Sequence, residues 1–372
     1  MFVNSKKVIK LMNEIAPERL AESWDNVGLL VGNADSEIDR VMVALEVTEA
    51  VLEEAISENI DLIVCHHPLL FKPLKKITDH DPIGKMVRKL IKNDINLYVA
   101  HTNLDIAEGG TNDYIAELLK LDRVQGLDKT GTSKYTKIAV YVPIENLEAV
   151  RKEMADAGAG KIGSYSDCAF VSEGRGMFKP LEGSTPHIGE QDILEAVREA
   201  KLEVIVDKSN LGRVIEKMLK AHPYEVPAYD IWELENEIES FYLGRTGHAQ
   251  GKHTLKSFAE EVKSKLNIDH LRFVGDPDKR IRKVAICTGA GSDYIKAAAK
   301  RGCDVLVTGD LKYHEAQTAL QMNIAVIDAG HYETEQIYVK RLAEKLTSSI
   351  ELKEYDVAVI ESKAESNPFQ GI

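Results

Sequence analysis

Two stretches of this chain match each other at a constant offset of 243 residues, without a gap: Ile38 to His67 and Ile281 to Asp310. Each reads as a short apolar strand, a helix and a second strand. Val41-Met42-Val43-Ala44 answers Val284-Ala285-Ile286-Cys287, and Asp61-Leu62-Ile63-Val64 answers Asp304-Val305-Leu306-Val307. A third apolar run follows each unit, at Ile95 to His101 and at Asn323 to Gly330. Short continuous apolar runs separated by helical patterns indicate βαβ units and a mostly parallel sheet. The predicted fold class is therefore α/β, with two duplicated halves forming one core. Ligands of such sheets gather at the carboxyl ends of the strands. The repeat thus predicts one shared site where two sets of strand ends meet. Chance likeness between βαβ units is the alternative.

The segment from about Thr132 to Glu235 breaks this pattern. A strand (Lys137 to Pro143) and a helix (Glu145 to Gly158) come first. Two strand-like stretches, a helix (Leu211 to Ala221) and a last strand near Pro227 to Leu234 follow. That order resembles a ferredoxin-like α+β plait. The expected division is a core first half at 1–131, an inserted domain at 132–235 and a core second half at 236–372.

Composition excludes several classes. A balance of 44% hydrophobic and 29% charged residues is that of an ordinary globular chain, not a disordered one. The net charge of -13 disfavours general nucleic-acid binding, because phosphate contact rests on Lys and Arg. No run approaches the ~18 apolar residues of a membrane span. The first residues carry charges where a signal peptide needs an apolar core. The four cysteines are scattered with no Cys-x-x-Cys pair, which reads as free thiols in a reducing, cytoplasmic setting.

Chemistry concentrates just beyond the expected strand ends. Cys65-His66-His67-Pro68 follows one strand, His101-Thr102-Asn103-Leu104-Asp105 another, and His331-Tyr332-Glu333-Thr334-Glu335 a third. His331 and Glu335 lie four apart, on one helix face. Glu333 lies off that face and reads as solvated. Each motif alone also fits a surface turn or an exposed helical pair. Together, His66, His67, His101, Asp105, His331 and Glu335 place nitrogen and oxygen donors suited to zinc, iron or manganese at one place. Six donors exceed what one tetrahedral zinc takes, whereas two ions bridged by a carboxylate would use them all. Asp310 and His314 are weaker candidates, either as partners of the ligands or as acid–base groups facing substrate. A helix cap and an exposed histidine are the plain readings of the same two residues. Glu108-Gly109-Gly110-Thr111-Asn112 reads as a capping turn, with phosphate binding as the alternative.

These motifs, with Trp24-Asp25-Asn26-Val27-Gly28-Leu29 and Thr308-Gly309-Asp310, resemble the GTP cyclohydrolase I type 2 family, also called the NGG-one-interacting factor three-like family. The resemblance covers about Met1 to Gly131 and Asn236 to Ile372. It implies a dinuclear metal centre in a toroidal homohexamer. Its ligands fall on His66, His67, Asp105, His331 and Glu335, with His101 a less certain sixth. Glu335 is the candidate bridging carboxylate. The inserted segment departs from short family members. Its His222-Pro223-Tyr224-Glu225-Val226-Pro227 stretch resembles trimeric CutA-type and PII-like proteins, which fits a dimer of trimers. Gly174 to Gly189 reads as a possible effector loop.

Two functions follow as expectations. One is a metal-dependent hydrolase that opens the guanine ring of GTP at C8, releasing formate and leaving 7,8-dihydroneopterin triphosphate. The other is a non-enzymatic, metal-holding ring that binds a partner protein or senses a small molecule through its insert.

Overall fold

In a computed structural model, which describes residues 3–370, the chain divides into two compact units. One comprises the residues up to Thr130 and those from Phe241 onward; the other spans Gly131–Ser240. The fold is mixed α/β, with three sheets among the described residues.

The first unit holds two sheets. In one, the order is Gly28–Val31, Asn96–Val99, Leu62–Cys65, Arg40–Ala44, Ala358–Glu361. All neighbours are parallel except the first pair. In the other, the order is Arg272–Val274, Ala325–Asp328, Val305–Thr308, Arg280–Ile286, Ser240–Thr254, Asp122–Thr132. Its central three strands are parallel, and Arg272–Val274 is antiparallel to its neighbour. The offset of 243 recurs in the hydrogen bonds. Asp61 Oδ2 accepts from the N–H groups of Asp39 and Arg40, and Asp304 Oδ2 from those of Arg282 and Lys283, each at 2.8 Å.

Burial explains the apolar runs. Leu62–Cys65, Asn96–Val99, Val305–Thr308 and Ala325–Asp328 are buried at every position, as strands covered on both faces must be. Alternate residues then serve different cores. Leu62, Val64 and Tyr98 share one core with Leu306, Val326 and the helix His331–Leu352. Ile63, Leu97 and Val99 point the other way, beside Leu52, Val87 and Leu90 of two outer helices. Several of the helices start at side-chain caps: Thr48 accepts from Val51 N, Asp81 from Gly84 N, and Thr254 with Ser257 forms a reciprocal box.

The chain end adds a strand that the apolar runs of the sequence do not announce, after the long helix that opens at His331. The helix runs to Leu352, and Ala358–Glu361 then joins the sheet of the chain's first half, parallel to Arg40–Ala44.

The second unit is a four-stranded antiparallel sheet, ordered Ala169–Phe178, Glu195–Asp207, Tyr135–Pro143, Tyr229–Leu234. Helices Leu147–Asp156 and Leu211–Ala221 pack on one face through Val150, Met154, Val214 and Met218. Among the described residues, no helix is long and apolar enough to cross a membrane.

Candidate metal centre

Every ligand candidate sits just past a buried strand, on the turn or in the first turns of the helix that follows. After Leu62–Cys65 the chain turns. The His66 and His67 N–H groups both donate to Leu45 O, at 3.0 and 2.8 Å. The two consecutive imidazoles therefore do not alternate across a sheet; their ring centroids are 5.2 Å apart. His101 follows Asn96–Val99 with non-helical backbone, and Asp105 lies on the short helix Thr102–Ile106 behind it. His331 opens the long helix, which puts Glu335 one turn on.

Hydrogen bonds fix which ring nitrogen faces inward. His66 Nδ1 donates to Ala100 O at 2.8 Å, His101 Nδ1 to Asp25 Oδ1 at 2.9 Å, and His331 Nδ1 to Asp310 Oδ2 at 2.8 Å. Each outer nitrogen has an acceptor, so in the neutral ring each inner Nε2 carries the lone pair for the centre. His66 Nε2 is buried with no hydrogen-bond partner; Asp105 Oδ1 and Glu335 Oε1 both lie 3.7 Å away. His67 Nε2 is 2.8 Å from Glu335 Oε2 and 3.3 Å from His331 Nε2, which itself is 3.1 Å from Glu335 Oε2. Two donor groups result, His66–His67–His101 and His67–His331–Glu335, each with ligand atoms within 4.8 Å of one another. They share His67. Imidazoles pinned through their outer nitrogens around a buried carboxylate are the donor set of a metal site, and a partnerless buried Nε2 is otherwise costly. The residues fit a divalent ion.

The electrostatics agree. Glu335 is 4% exposed. Burial alone would raise its pKa, but the charge of His66 and the hydrogen bonds of His331 and His67 hold it well below the usual carboxylate range. Burial likewise opposes charge on His66 and His331. Asp105 and Glu335 outweigh it at His66, Glu335 and Asp310 at His331, and each is raised to about 9. Asp25 is pulled down to about 2 against its own desolvation, by His101 and Thr102.

Supporting residues that the sequence reading did not single out complete the site. Asp25 also accepts from Thr102 N at 3.0 Å and Thr102 Oγ1 at 2.5 Å. Thr111 Oγ1 donates to Asp105 Oδ1, with Thr288 Oγ1 3.1 Å from the Thr111 hydroxyl. Gly289 has φ +63, and a Cβ there would stand 2.2 Å from Glu335 Oε1. The Trp-Asp-Asn-Val-Gly motif was the available signal for Asp25, and the glycine turn six residues after Asp105 the one for Thr111; Thr288 has no local signal, because it meets Asp105 only through the fold.

The remaining candidates fall as follows. Asp310, at φ +55, holds His331. His314 is exposed on the helix Tyr313–Gln321, its ring against Tyr313 at 5.4 Å; no hydrogen bond or ion pair joins its ring to the cluster among the described residues. Glu333 is not solvated as expected: it is half-buried and accepts from Asn367 Nδ2 at 2.6 Å, because the chain end returns over this helix start. In the glycine turn, Gly109 N donates to Asp113 Oδ2 at 2.7 Å, a capping use of that N–H. The four cysteines are free, and burial pushes the Cys65 and Cys287 thiols up. Beside the cluster a cavity of about 600 Å³ opens, lined by His67, His331, Asp310, Arg272, Tyr332 and Phe369 among others.

Comparison with known proteins places this geometry. The chain matches the family model Duf34/NIF3 (NGG1p interacting factor 3) over residues 3–368. It is similar to a protein of Bacillus subtilis (strain 168) called GTP cyclohydrolase 1 type 2 homolog. The two are 45% identical over 367 residues, covering 99% of this chain and 98% of that one. Among solved structures it resembles a Bacillus cereus protein related to NIF3, at TM-score 0.91 and 40% identity, with both chains fully covered. It also resembles Staphylococcus aureus protein SA1388, at TM-score 0.78 and 33% identity, over 100% of this chain and 99% of the other.

Proposed function

This chain belongs to the Duf34/NIF3 family, and from that premise we propose that it is a hydrolase using two divalent ions, with a guanine nucleotide as substrate. The observation that carries the reading is His66 Nε2, buried and without a partner, on a ring whose Nδ1 proton is committed to Ala100 O. His66, His101 and Asp105 would hold one ion and His67 and His331 the other, with Glu335 as the shared carboxylate. Zinc, manganese or iron fits these donors. Bound there, such ions supply Lewis acidity and lower the pKa of water.

The protein's own residues do the positioning. Ala100, Asp25 and Asp310 orient the three imidazoles. Thr111 and Thr288 hold Asp105. The adjoining cavity, of a size that suits a nucleotide, brings Arg272 and Tyr332 to the side of His67 and His331. Arg272 is an anion-facing candidate, although it already pairs with Asp328. His314, exposed and without a hydrogen bond or ion pair to the cluster among the described residues, does not orient any of these ligands. GTP, opened at C8 with loss of formate, is the substrate reading supported by the relatives' name. We further read the parallel strands at the centre of the two sheets as duplicated halves, and the second unit's strand order as a ferredoxin-like insert serving oligomer assembly in a hexameric ring.

The test is turnover of GTP by protein reconstituted with zinc, manganese or ferrous iron, scored beside Glu335→Ala. Metal-dependent formate release that Glu335→Ala abolishes supports the reading. Release that survives the substitution, or none with any metal, overturns it.

A further inference from the structure

The helix-free face of the second unit carries a cavity of about 670 Å³ that owes nothing to the metal centre. Its floor is the sheet and its rim includes Pro180, Ser184 and His187 from the long connection between two strands. The floor is unusually bare, because the edge strand contributes glycine at two alternate positions. Gly174 faces open space, with nothing within 4 Å of where a methyl group would stand, whereas a Cβ on Gly176 would lie 2.0 Å from Glu199 Oε2. Gly176 therefore makes room for a carboxylate.

That carboxylate is unusual. Glu199 is 8% exposed and lines the cavity. Its Oε1 accepts from Tyr224 Oη at 2.7 Å, while Oε2 has no hydrogen bond and no cation lies at ion-pair distance among the described residues. The nearest lysine on the same strand face, Lys201, is engaged elsewhere, 3.6 Å from Glu203 Oε1 and 5.8 Å from the centre of the Trp232 ring. A carboxylate can only accept, so the oxygen left free offers its lone pairs to a donor entering the cavity. Aromatic groups stand around it: Tyr224 has ring neighbours in Phe178 at 5.8 Å and His187 at 6.3 Å. Tyr224 is itself fixed, since its N–H donates to His222 Nδ1 at 3.1 Å and His222 Nε2 donates to Tyr141 O at 2.9 Å.

We propose that this cavity binds a planar group with paired N–H donors, of the guanine or guanidinium kind, with Glu199 as acceptor and Tyr224 and Phe178 as flat walls. Such an edge matches a carboxylate with two hydrogen bonds, the stronger kind where charge assists. A flat group also suits aromatic walls beside the bare backbone at Gly174.

The experiment is calorimetric titration of the full-length, metal-loaded protein with guanosine and, separately, with L-arginine, which distinguishes a base from a guanidinium as the source. Binding of at least one probe is expected. Glu199→Gln keeps the shape but puts an amide among the donors, and should weaken that probe at least tenfold. Gly174→Val adds a side chain in free space on an exposed edge strand, so the fold is kept and binding should be lost. Glu335→Ala, at the metal centre, should leave it unchanged. That last arm separates this site from the proposed hydrolase site, so either idea can fail alone. Failure of both probes, equal affinity in Glu199→Gln, or loss in Glu335→Ala with retention in Gly174→Val would each overturn the proposal. So would absence of probe binding together with a changed oligomeric state in Gly174→Val, which would make this face a contact between copies of the chain.

Discussion

His101 shows how a single acceptor sets the chemistry of a ligand. Its Nδ1–H is taken by Asp25, a carboxylate held near pKa 2, so Nε2 can only offer a lone pair. In Asp25→Asn an amide can present N–H to that nitrogen and turn the tautomer round. Metal affinity should drop about 10–100-fold, as for other partners of metal-bound histidines, with the far-ultraviolet dichroism unchanged; competition with a chromophoric chelator measures it. Gly289 is the second sensitive residue. Gly289→Ala would drive a methyl into Glu335 and strain a left-handed backbone, so metal content should fall although no ligand is removed. A variant retaining full metal would show that Glu335 has room to move.

Protonation at the same residues carries a sign that can be checked. His66 and His331 are raised to about 9 in the metal-free protein, from an ordinary value of 6.5. A raised histidine stabilises the fold below pH 6.5, and that contribution is lost as pH climbs through 9. Metal-free protein should therefore melt at lower temperature at pH 9.5 than at pH 6.5. Metal-loaded protein should lose less, since the ions replace the protons. The ordinary value of 6.5 would instead place proton competition for the metal near pH 6; the neighbouring carboxylates move it upward.

At the scale of elements, the turn behind Asp105 depends on a strand from the far half of the sequence. Arg245, 8% exposed, donates through Nε and Nη2 to Asp113 at 2.5 and 2.9 Å. Its Nη2 also reaches Ile106 O and Ala107 O at 3.1 and 3.2 Å. Breaking such a pair leaves half-buried Asp113 without its cation, with the Gly109 N–H still donating to it, and takes a donor from two carbonyls. Arg245→Met should cost on the order of 3 kcal/mol, read as a lower urea midpoint, and should loosen metal binding through Asp105. In the second unit, burial lowers the pKa of His222 below 6.5. Its neutral form accepts from Tyr224 N, so this contribution is present above pH 6.5 and is lost as pH falls through the lowered value. His222→Gln should flatten that loss in melts followed between pH 7 and 5.

For the whole molecule, the parallel strands and the ligands at their ends were readable because buried strands leave continuous apolar runs, and the residues just past them are free to do chemistry. Strand Ala358–Glu361 was not readable: it is four residues long, only half-buried, and joins the sheet of the first half from the opposite end of the chain. Asp25 and Thr288 were missed as site residues for a related reason, since partners 76 and 183 residues away leave no periodic trace; Thr111, six residues from Asp105, is hidden instead by its ordinary place in a capping turn. His314 sits one turn from Asp310 in sequence, yet the helix carries it to an exposed surface. The ends of the second unit lie side by side, Ser133 N donating to Glu239 O at 2.9 Å. Replacing residues 132–239 by a short flexible linker should therefore leave a folded core with its metal content intact, measured by chromatography with light scattering beside elemental analysis.

Metal stoichiometry tests the central claim most directly. Protein reconstituted with zinc and dialysed at pH 8 should retain two ions per chain by elemental analysis, and Glu335→Ala, which removes the shared carboxylate, should retain fewer than one. A wild-type plateau at one ion would contradict the dinuclear site, and equal retention by Glu335→Ala would contradict the assignment of Glu335 at its centre.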